Sequence, residues 1–396
     1  MSGFGWTHLS RDALRRAEAQ LSGEAAGVRD EIGFLLIHQR YADRLFPGTS
    51  ILHTRLRYVL FIPWIYDDLR RHPAGKRAAP DVRDAELDLT RRLLKAGGGV
   101  IGRLNYPKTT SQPPSVVYWT ALGTWGLLRP RADGRMPSRA QVLAMLRSAG
   151  RVAEDDDGVP LAAPGLPFVT LPSRPPGWDS GGDLDFVLTP QEADFLRRHL
   201  TAVPSTSTLQ PSLLARLAAS PPPQAEHCWD KAVLNAAADD RRVLERAGQA
   251  AVLAAIGRGV YAALVETLCE EQDRRGMPRT HRDRLPEVVA SYARRAERLD
   301  LGALAGDIGP LPALVTDVLQ QTQAWIAKGA GDPAPLRDAY AAAERSRKGL
   351  RARLTNDLSG RERRYEWNSE SHTLAEPLHF RWDRVHKLLS DLHGVA

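Results

Sequence analysis

Between Asp239 and about Arg274, the residues Val243, Ala247, Ala250, Leu253, Ala254, Val260, Leu264 and Leu268 recur at helical spacing along one stripe. Positions three and four apart share a helix face, so a run of roughly ten turns has to bury one long ridge. The stripe is rich in alanine and glycine, small residues that let neighbouring helices come close, so the pattern predicts a tight helical bundle. A second segment, Ile51 to about Arg71, carries Leu52, Leu56, Val59, Leu60, Ile62, Trp64, Ile65 and Leu69 on more than one face. A helix apolar most of the way round is buried, with a kink expected where Pro63 removes a backbone donor.

These two cores lie far apart in a chain of 396 residues, more than one hydrophobic core usually serves. The expected fold is mainly α, a multi-helix, two-part architecture. An N-terminal helical domain spans 1–149, a loop or linker 150–187, and a C-terminal helical bundle 188–396. Short helices are expected over Ser10–Leu21 and Val28–Leu45, after which Phe46-Pro47-Gly48-Thr49-Ser50 breaks the pattern and Thr49 or Ser50 caps the Ile51 helix. Pro80-Asp81 opens a further helix that Gly97-Gly98-Gly99 ends, and Pro113-Pro114-Ser115 opens one that ends at Gly126. Helix, turn, helix and then the basic excursion Arg129–Arg135 is the order of a winged helix, so about 85–135 is a winged-helix candidate. Its two tryptophans, Trp119 and Trp125, suit a core better than a DNA groove. The Pro-, Gly- and Asp-rich stretch from Gly150 to Val187 shows no period and reads as the boundary. Thr189-Pro190-Gln191-Glu192 then supplies a cap, a proline at the first helical position and a capping-box partner for a helix running to His199.

The sequence offers little for catalysis. Cys228 and Cys269 stand in neither CxxC spacing nor company with paired histidines, which argues against a disulfide framework or zinc module and for a reducing cytoplasm. The start of the chain lacks the basic-then-apolar pattern of a signal peptide, and no stretch reads as a membrane span. The eleven histidines are scattered singly, and none of HExxH, GxSxG, GxxxxGK[ST] or GxGxxG occurs in a strand-to-helix setting. Glu154-Asp155-Asp156-Asp157 could offer oxygen ligands to a divalent ion, but consecutive acids on a loop cannot all point inward, so no metal and no cofactor are expected. His379 and His386, seven apart beside Arg381, Arg384 and Lys387, could line a phosphate-binding face or be ordinary boundary residues.

Charge is the stronger signal. The chain carries +7 formally, and of its 54 basic residues only seven are lysine. Arginine's planar fork grips phosphate and carboxylate bidentately, so the excess points to a polyanionic or acidic partner; a GC-rich coding bias is the plainer source. Cations concentrate at Arg345, Arg347, Lys348, Arg351 and Arg353, followed by Arg361, Arg363 and Arg364. Spread round a helix, they suit a phosphate backbone or an acidic protein. Tyr365, Trp367, Phe380 and Trp382 follow, either stacking platforms for a single strand or anchors of a carboxy-terminal cap. Arg103, Lys108, Arg129 and Arg131 from the winged-helix candidate join the set of candidate contacts. So do Arg55 and Arg57, which lie on an otherwise apolar helix and must either pair internally or face a ligand.

Ser2-Gly3-Phe4-Gly5-Trp6, Phe46–Ser50 with Arg55, Arg57-Tyr58 and Phe61-Ile62-Pro63-Trp64, then Pro114-Ser115, Tyr118-Trp119 and Trp125-Gly126, and finally Arg351–Asn356 with Phe380-Arg381-Trp382, resemble one bacterial family known only as a numbered domain of unknown function. The resemblance implies no catalytic residues. It implies genes that accompany multi-gene anti-phage defence loci, among helicases, methyltransferases and phospholipase-D-like nucleases. The leading expectation is a non-enzymatic accessory subunit of a DNA-directed defence complex that binds DNA or partner subunits through its Arg-rich helical surfaces, with no membrane involved. A stand-alone winged-helix regulator and an atypical nuclease are the alternatives.

Overall fold

The computed structural model describes residues 30–71, 81–149, 166–206, 210–372 and 374–394. The expected helix over Ser10–Leu21, the Ser2–Trp6 motif and the acids at 154–157 lie outside them. The protein is mainly helical, and among the described residues extended structure is limited to two isolated bridges, Leu128 with Phe168 and Pro204 with Pro211.

Helix α1 (Phe34–Leu45) starts later than the Val28 pattern suggests. The Asp30 carboxylate accepts from the amides of Gly33 at 2.8 Å and Leu35 at 3.0 Å, which folds 30–33 into a turn before the helix begins. Helix α2 (Tyr58–Arg71) contains Pro63 and also starts late. The amides of Thr54 and Arg55 donate to the Tyr118 hydroxyl at 2.9 and 3.1 Å, and that of Leu56 to Asp391 at 2.9 Å. Donors committed to distant acceptors are lost to helix initiation, so 51–57 forms turns. Neither Thr49 nor Ser50 caps a helix; the Thr49 hydroxyl donates to the Phe46 carbonyl at 2.6 Å.

Helices α3 (Val82–Leu93), α4 (Pro114–Thr124) and α5 (Arg139–Ala149) follow, then α6 (Pro190–Thr201), α7 (Leu213–Leu217) and α8 (Lys231–Ala236). The capping box before α6 is complete, with the Glu192 amide donating to the Thr189 hydroxyl and the Thr189 amide donating to the Glu192 carboxylate. The winged-helix candidate has its two helices, but residues 129–138 contain no paired strands, only a turn in which the Arg131 amide donates to the Arg135 carbonyl. Its second helix buries Val117, Tyr118, Ala121 and Leu122, and the Trp125 indole donates to the Pro47 carbonyl at 3.0 Å. The helix carries no cationic side chain to offer a phosphate backbone.

The remaining helices are α9 (Arg241–Glu271), α10 (Thr280–Ala296), α11 (Leu301–Ile308), α12 (Ala313–Ala327), α13 (Arg337–Lys348), α14 (Leu358–Tyr365) and α15 (Trp382–His393). The stretch from Ala238 to Glu271 is long and apolar enough to cross a membrane, which corrects the expectation that no stretch reads as a span. Yet 89% of its apolar window is buried inside the protein, the condition of a core helix. Its small residues do the work the sequence assigns them. A Cβ at Gly257 would stand 2.6 Å from the Phe34 ring and 3.1 Å from the Tyr340 hydroxyl, so glycine is what admits α1 and α13 to the α9 backbone.

The chain divides into two compact units, but not at 150–187. One, the α9 unit, comprises 30–41 and 242–380; the other, the α2 unit, comprises 42–241 and 381–394. The described part of the expected linker belongs wholly to the α2 unit. Phe168, Trp178, Leu184 and Phe186 are buried there, and Trp178 meets Phe61 and Trp64 at ring-centroid distances of 5.9 and 5.3 Å. Aromatic burial outweighs the loop-like composition.

Two tests follow. Gly257→Ala should lower stability by about 1–3 kcal/mol through overpacking, with Phe34→Leu recovering part of the loss; thermal melts that show no cost, or no recovery, contradict the close approach. In the α2 unit, His53 stacks on Tyr118 at 4.1 Å, and its Nε2 donates to the Val117 carbonyl at 3.3 Å. Burial pulls its pKa from the ordinary 6.5 to about 3. The unfolded chain therefore takes up a proton that the folded chain refuses, and stability should fall as pH drops from 6.5 towards 3. Denaturation midpoints of His53→Phe should decline less over that range than those of the wild type.

Candidate binding surface

The cation-rich segment lies entirely in the α9 unit. Helix α13 ends at Gly349, whose φ of +56° permits the reversal. Arg345, Arg347 and Lys348 occupy its last turn, where positive charge is favoured by the helix dipole. A 3-10 turn, Gly349–Arg351, follows and packs beside both α13 and α14. What fixes this return is Glu344, fully buried. Its carboxylate accepts from the Tyr261 hydroxyl at 2.6 Å and from the amides of Arg353 and Leu354 at 2.8 and 2.9 Å. Asp357 caps α14 by accepting from the Gly360 amide at 2.7 Å. That amide bond and the hydroxyls of Ser359 and Thr355 hold the Asp357 carboxyl below its ordinary range. Gly360 lies so close to the Thr355 carbonyl that a Cβ would stand 2.4 Å from its oxygen.

Within this frame the predicted cations part into two groups. Arg364 is buried; its Nε and Nη2 donate to Asp273 at 2.7 and 2.9 Å, and its Nη1 to the Arg353 and Thr355 carbonyls at 2.6 and 2.7 Å. Arg347 pairs with Asp30. Lys348 and Arg353 converge on Glu31 at 3.1 and 3.4 Å. Burial alone would raise the Glu31 carboxyl, but Lys348, His372 and Arg353 outweigh it and hold the group below its usual value. These four side chains are structural counter-ions. Arg347 is exposed too but paired, whereas Arg345 and Arg351 are exposed and form no ion pair among the described residues, although the charge of Arg345 reaches Asp357. Arg361 keeps only a 3.9 Å contact with Asp273, and Arg363 pairs with Glu366 at the surface.

The remaining predicted contacts belong to the α2 unit. Arg57 is buried, donating to Glu192 at 2.9 Å and Asp185 at 2.8 Å, so the α6 capping-box glutamate doubles as its counter-ion. Arg55 pairs with Asp391 at 2.9 Å and stacks 4.6 Å from Phe186. Neither is free for a ligand, which resolves the choice between pairing and ligand in favour of pairing. Arg103 donates to the Gly97 carbonyl at 2.6 Å, Arg131 pairs with Asp133 at 3.4 Å, and Lys108 and Arg129 are exposed. The sequence's single set of cations is therefore divided between the two units.

The aromatics separate too. Trp367, Phe380 and Trp382 are buried, as anchors are, whereas Tyr365 is 77% exposed with Arg275 5.2 Å over its ring. Sequence reasoning missed its companions. Leu350 is 77% and Leu358 72% exposed, so three of the exposed large hydrophobic side chains fall within 350–365. Each leucine has Leu354 four positions away, a spacing that reads as a buried stripe, so nothing in the sequence signals their exposure. His379 belongs to the α9 unit and His386 to the α2 unit. Cys228 and Cys269 are free and buried, and burial pushes the Cys269 thiol up to about 11, far from a reactive thiolate. Among the described residues no three His, Cys, Asp or Glu side chains are placed to share a metal ion.

Fold and surface together describe a mainly helical, two-unit protein with an exposed face that mixes guanidinium groups with leucine and tyrosine. The chain belongs to the family of unknown function DUF6361, which it matches over residues 1–268. That span ends within α9, ahead of the exposed face. No curated protein and no solved structure matches the chain.

The two groups of cations should respond differently to truncation. Arg364→Met strands the buried Asp273 and should cost about 3–5 kcal/mol, whereas Arg351→Met should stay within about 0.5 kcal/mol of wild type. Urea midpoints that fail to separate the two variants would contradict the partition.

Proposed function

We propose that this protein is a non-enzymatic accessory subunit of a DNA-directed anti-phage defence assembly, and that it holds a partner subunit or nucleic acid on the face built from α13, the 3-10 turn and α14. The observation that carries the binding role is the exposure of Leu350, Leu358 and Tyr365 among Arg345, Arg351 and Arg361. Clustered exposed apolar side chains mark interaction sites, and tyrosine and arginine are the residues that most often carry interface energy. Two leucines do little for a phosphate backbone, so the mixture favours a protein partner with an acidic rim, the guanidinium groups also being suited to phosphate. The defence setting is supported by the sequence resemblance. Family membership adds no activity.

The test is affinity purification of the full chain from its native operon, beside salt-dependent DNA binding by the isolated protein. A neighbour-encoded subunit should co-purify stoichiometrically. Leu350→Asp with Leu358→Asp should abolish that capture while the thermal midpoint stays unchanged, because neither side chain is buried. Should the isolated protein bind DNA, Arg345→Glu with Arg351→Glu should reduce the salt slope by about two. Undiminished capture by the leucine variant, together with undiminished DNA binding by the arginine variant, would refute the assignment of this face.

A further inference from the structure

A cleft of about 630 Å³ opens in the α2 unit, within the range of ligand sites. Its wall is a continuous run of chain, residues 168–174, faced by Trp64, Asp67 and Arg70 of α2, by Arg129 and by Asp179.

Among the described residues, one edge of that segment is paired and the other is not. The Arg129 amide donates to the Pro167 carbonyl at 2.6 Å and the Val169 amide to the Leu127 carbonyl at 3.0 Å, forming the antiparallel bridge of Leu128 with Phe168. Successive residues of an extended strand turn their amides and carbonyls to opposite edges. Pro167 and Val169 therefore face 127–129, and Phe168 and Thr170 turn theirs the other way. Neither of those amides nor carbonyls makes a hydrogen bond to any described residue. An open edge of this kind is a template for another strand.

The charges beside the edge select the strand that would add to it. Arg174 is satisfied by Asp67 at 2.9 Å, Asp68 at 2.5 Å and Asp179 at 3.3 Å. Arg70 reaches Asp67 at 3.1 Å through one terminal nitrogen, and its buried Nε makes no hydrogen bond. Arg129 is exposed and has no side-chain partner among the described residues. Two guanidinium groups with unused donors thus flank an unpaired backbone edge, with Phe168 and Leu171 supplying apolar wall.

We propose that this cleft binds an extended peptide bearing acidic side chains, which adds as a strand to the Phe168–Thr170 edge and places a carboxylate on Arg129 and Arg70. Backbone pairing supplies affinity and the alternate side chains supply selectivity, with the carboxylate held by the bidentate geometry that arginine offers. The site is independent of the face proposed above, since it lies in the other compact unit and uses backbone groups rather than exposed leucines.

Fluorescence anisotropy on the full chain tests this with a labelled Val-Glu-Val-Glu-Val peptide, its Lys-for-Glu counterpart and a version N-methylated at alternate amides. The acidic peptide should bind saturably and the lysine peptide should not. N-methylation should weaken binding by roughly tenfold, the loss of ladder hydrogen bonds. Arg129→Glu should cause a comparable loss with an unchanged circular dichroism spectrum, and Thr170→Pro, which deletes an outward amide, should mimic N-methylation. No saturable binding of the acidic peptide, or equal binding by the N-methylated peptide, would overturn the proposal. So would displacement of the peptide by inorganic phosphate or AMP at concentrations where N-methylation makes no difference, which would reveal a simple anion pocket.

Discussion

A guanidinium group withdrawn from water has to be given acceptors, and in both units carboxylates supply most of them, with backbone carbonyls serving Arg92. Burying an unpaired charge costs several kcal/mol, so the interior positions of arginine are settled by where acids can reach them. In the α2 unit Arg57 draws Glu192 and Asp185 together and so ties the start of α6 to α2. Arg55 does the same for Asp391 of α15, more than three hundred residues along the chain. In the α9 unit Arg364 takes Asp273, and the pair Asp30 and Glu31 takes Arg347, Lys348 and Arg353. Such pairs stabilise little beyond an apolar alternative, but they permit only one arrangement of the elements that carry them, which is their best-attested role.

The same requirement explains how arginine abundance misleads. A cluster read along the sequence counts charges without their partners. Asp30 and Glu31 precede Arg347 by more than three hundred positions, and Asp273 precedes Arg364 by about ninety. No local pattern announces either pairing, so structural counter-ions and surface groups look alike in the sequence. Buried acids offered no better clue, because Glu344, with no exposed surface at all, reads in sequence as one more charge on an amphipathic helix. The exposed face became visible only by subtraction, once Arg347, Lys348, Arg353 and Arg364 were accounted for.

What was legible is what local physics controls. The α9 stripe, the α6 capping box and the burial of Trp125 follow from spacing and from groups within a few residues of each other. What was not legible depends on distant partners. The amides of Thr54, Arg55 and Leu56 are claimed by Tyr118 and Asp391, which delays α2 although its hydrophobic pattern begins at Ile51. The boundary at 150–187 failed for a related reason. Proline, glycine and aspartate signal irregular backbone, and 166–187 is irregular, yet Trp178 and Phe186 pack it into the α2 unit as firmly as a helix. Composition reports regularity, not burial, and only burial defines a unit.

The division of the chain follows from the same distinction. Residues 381–394 return to the α2 unit after the whole α9 unit has been threaded. Within the α2 unit, Trp382 donates to the Ala225 carbonyl at 2.9 Å and packs 6.0 Å from Phe46, while Arg381 bonds Asp43 and the Thr49 carbonyl. An amphipathic helix added at the end of a chain can fill a core begun at its start, because loop-closure entropy grows only slowly with the length enclosed. The α2 unit therefore cannot be complete in any fragment that stops before α15, and the α9 unit cannot be complete without 30–41, whose Phe34 occupies the gap left by Gly257. Each unit borrows an element from beyond the other in sequence, so neither corresponds to a continuous stretch of chain.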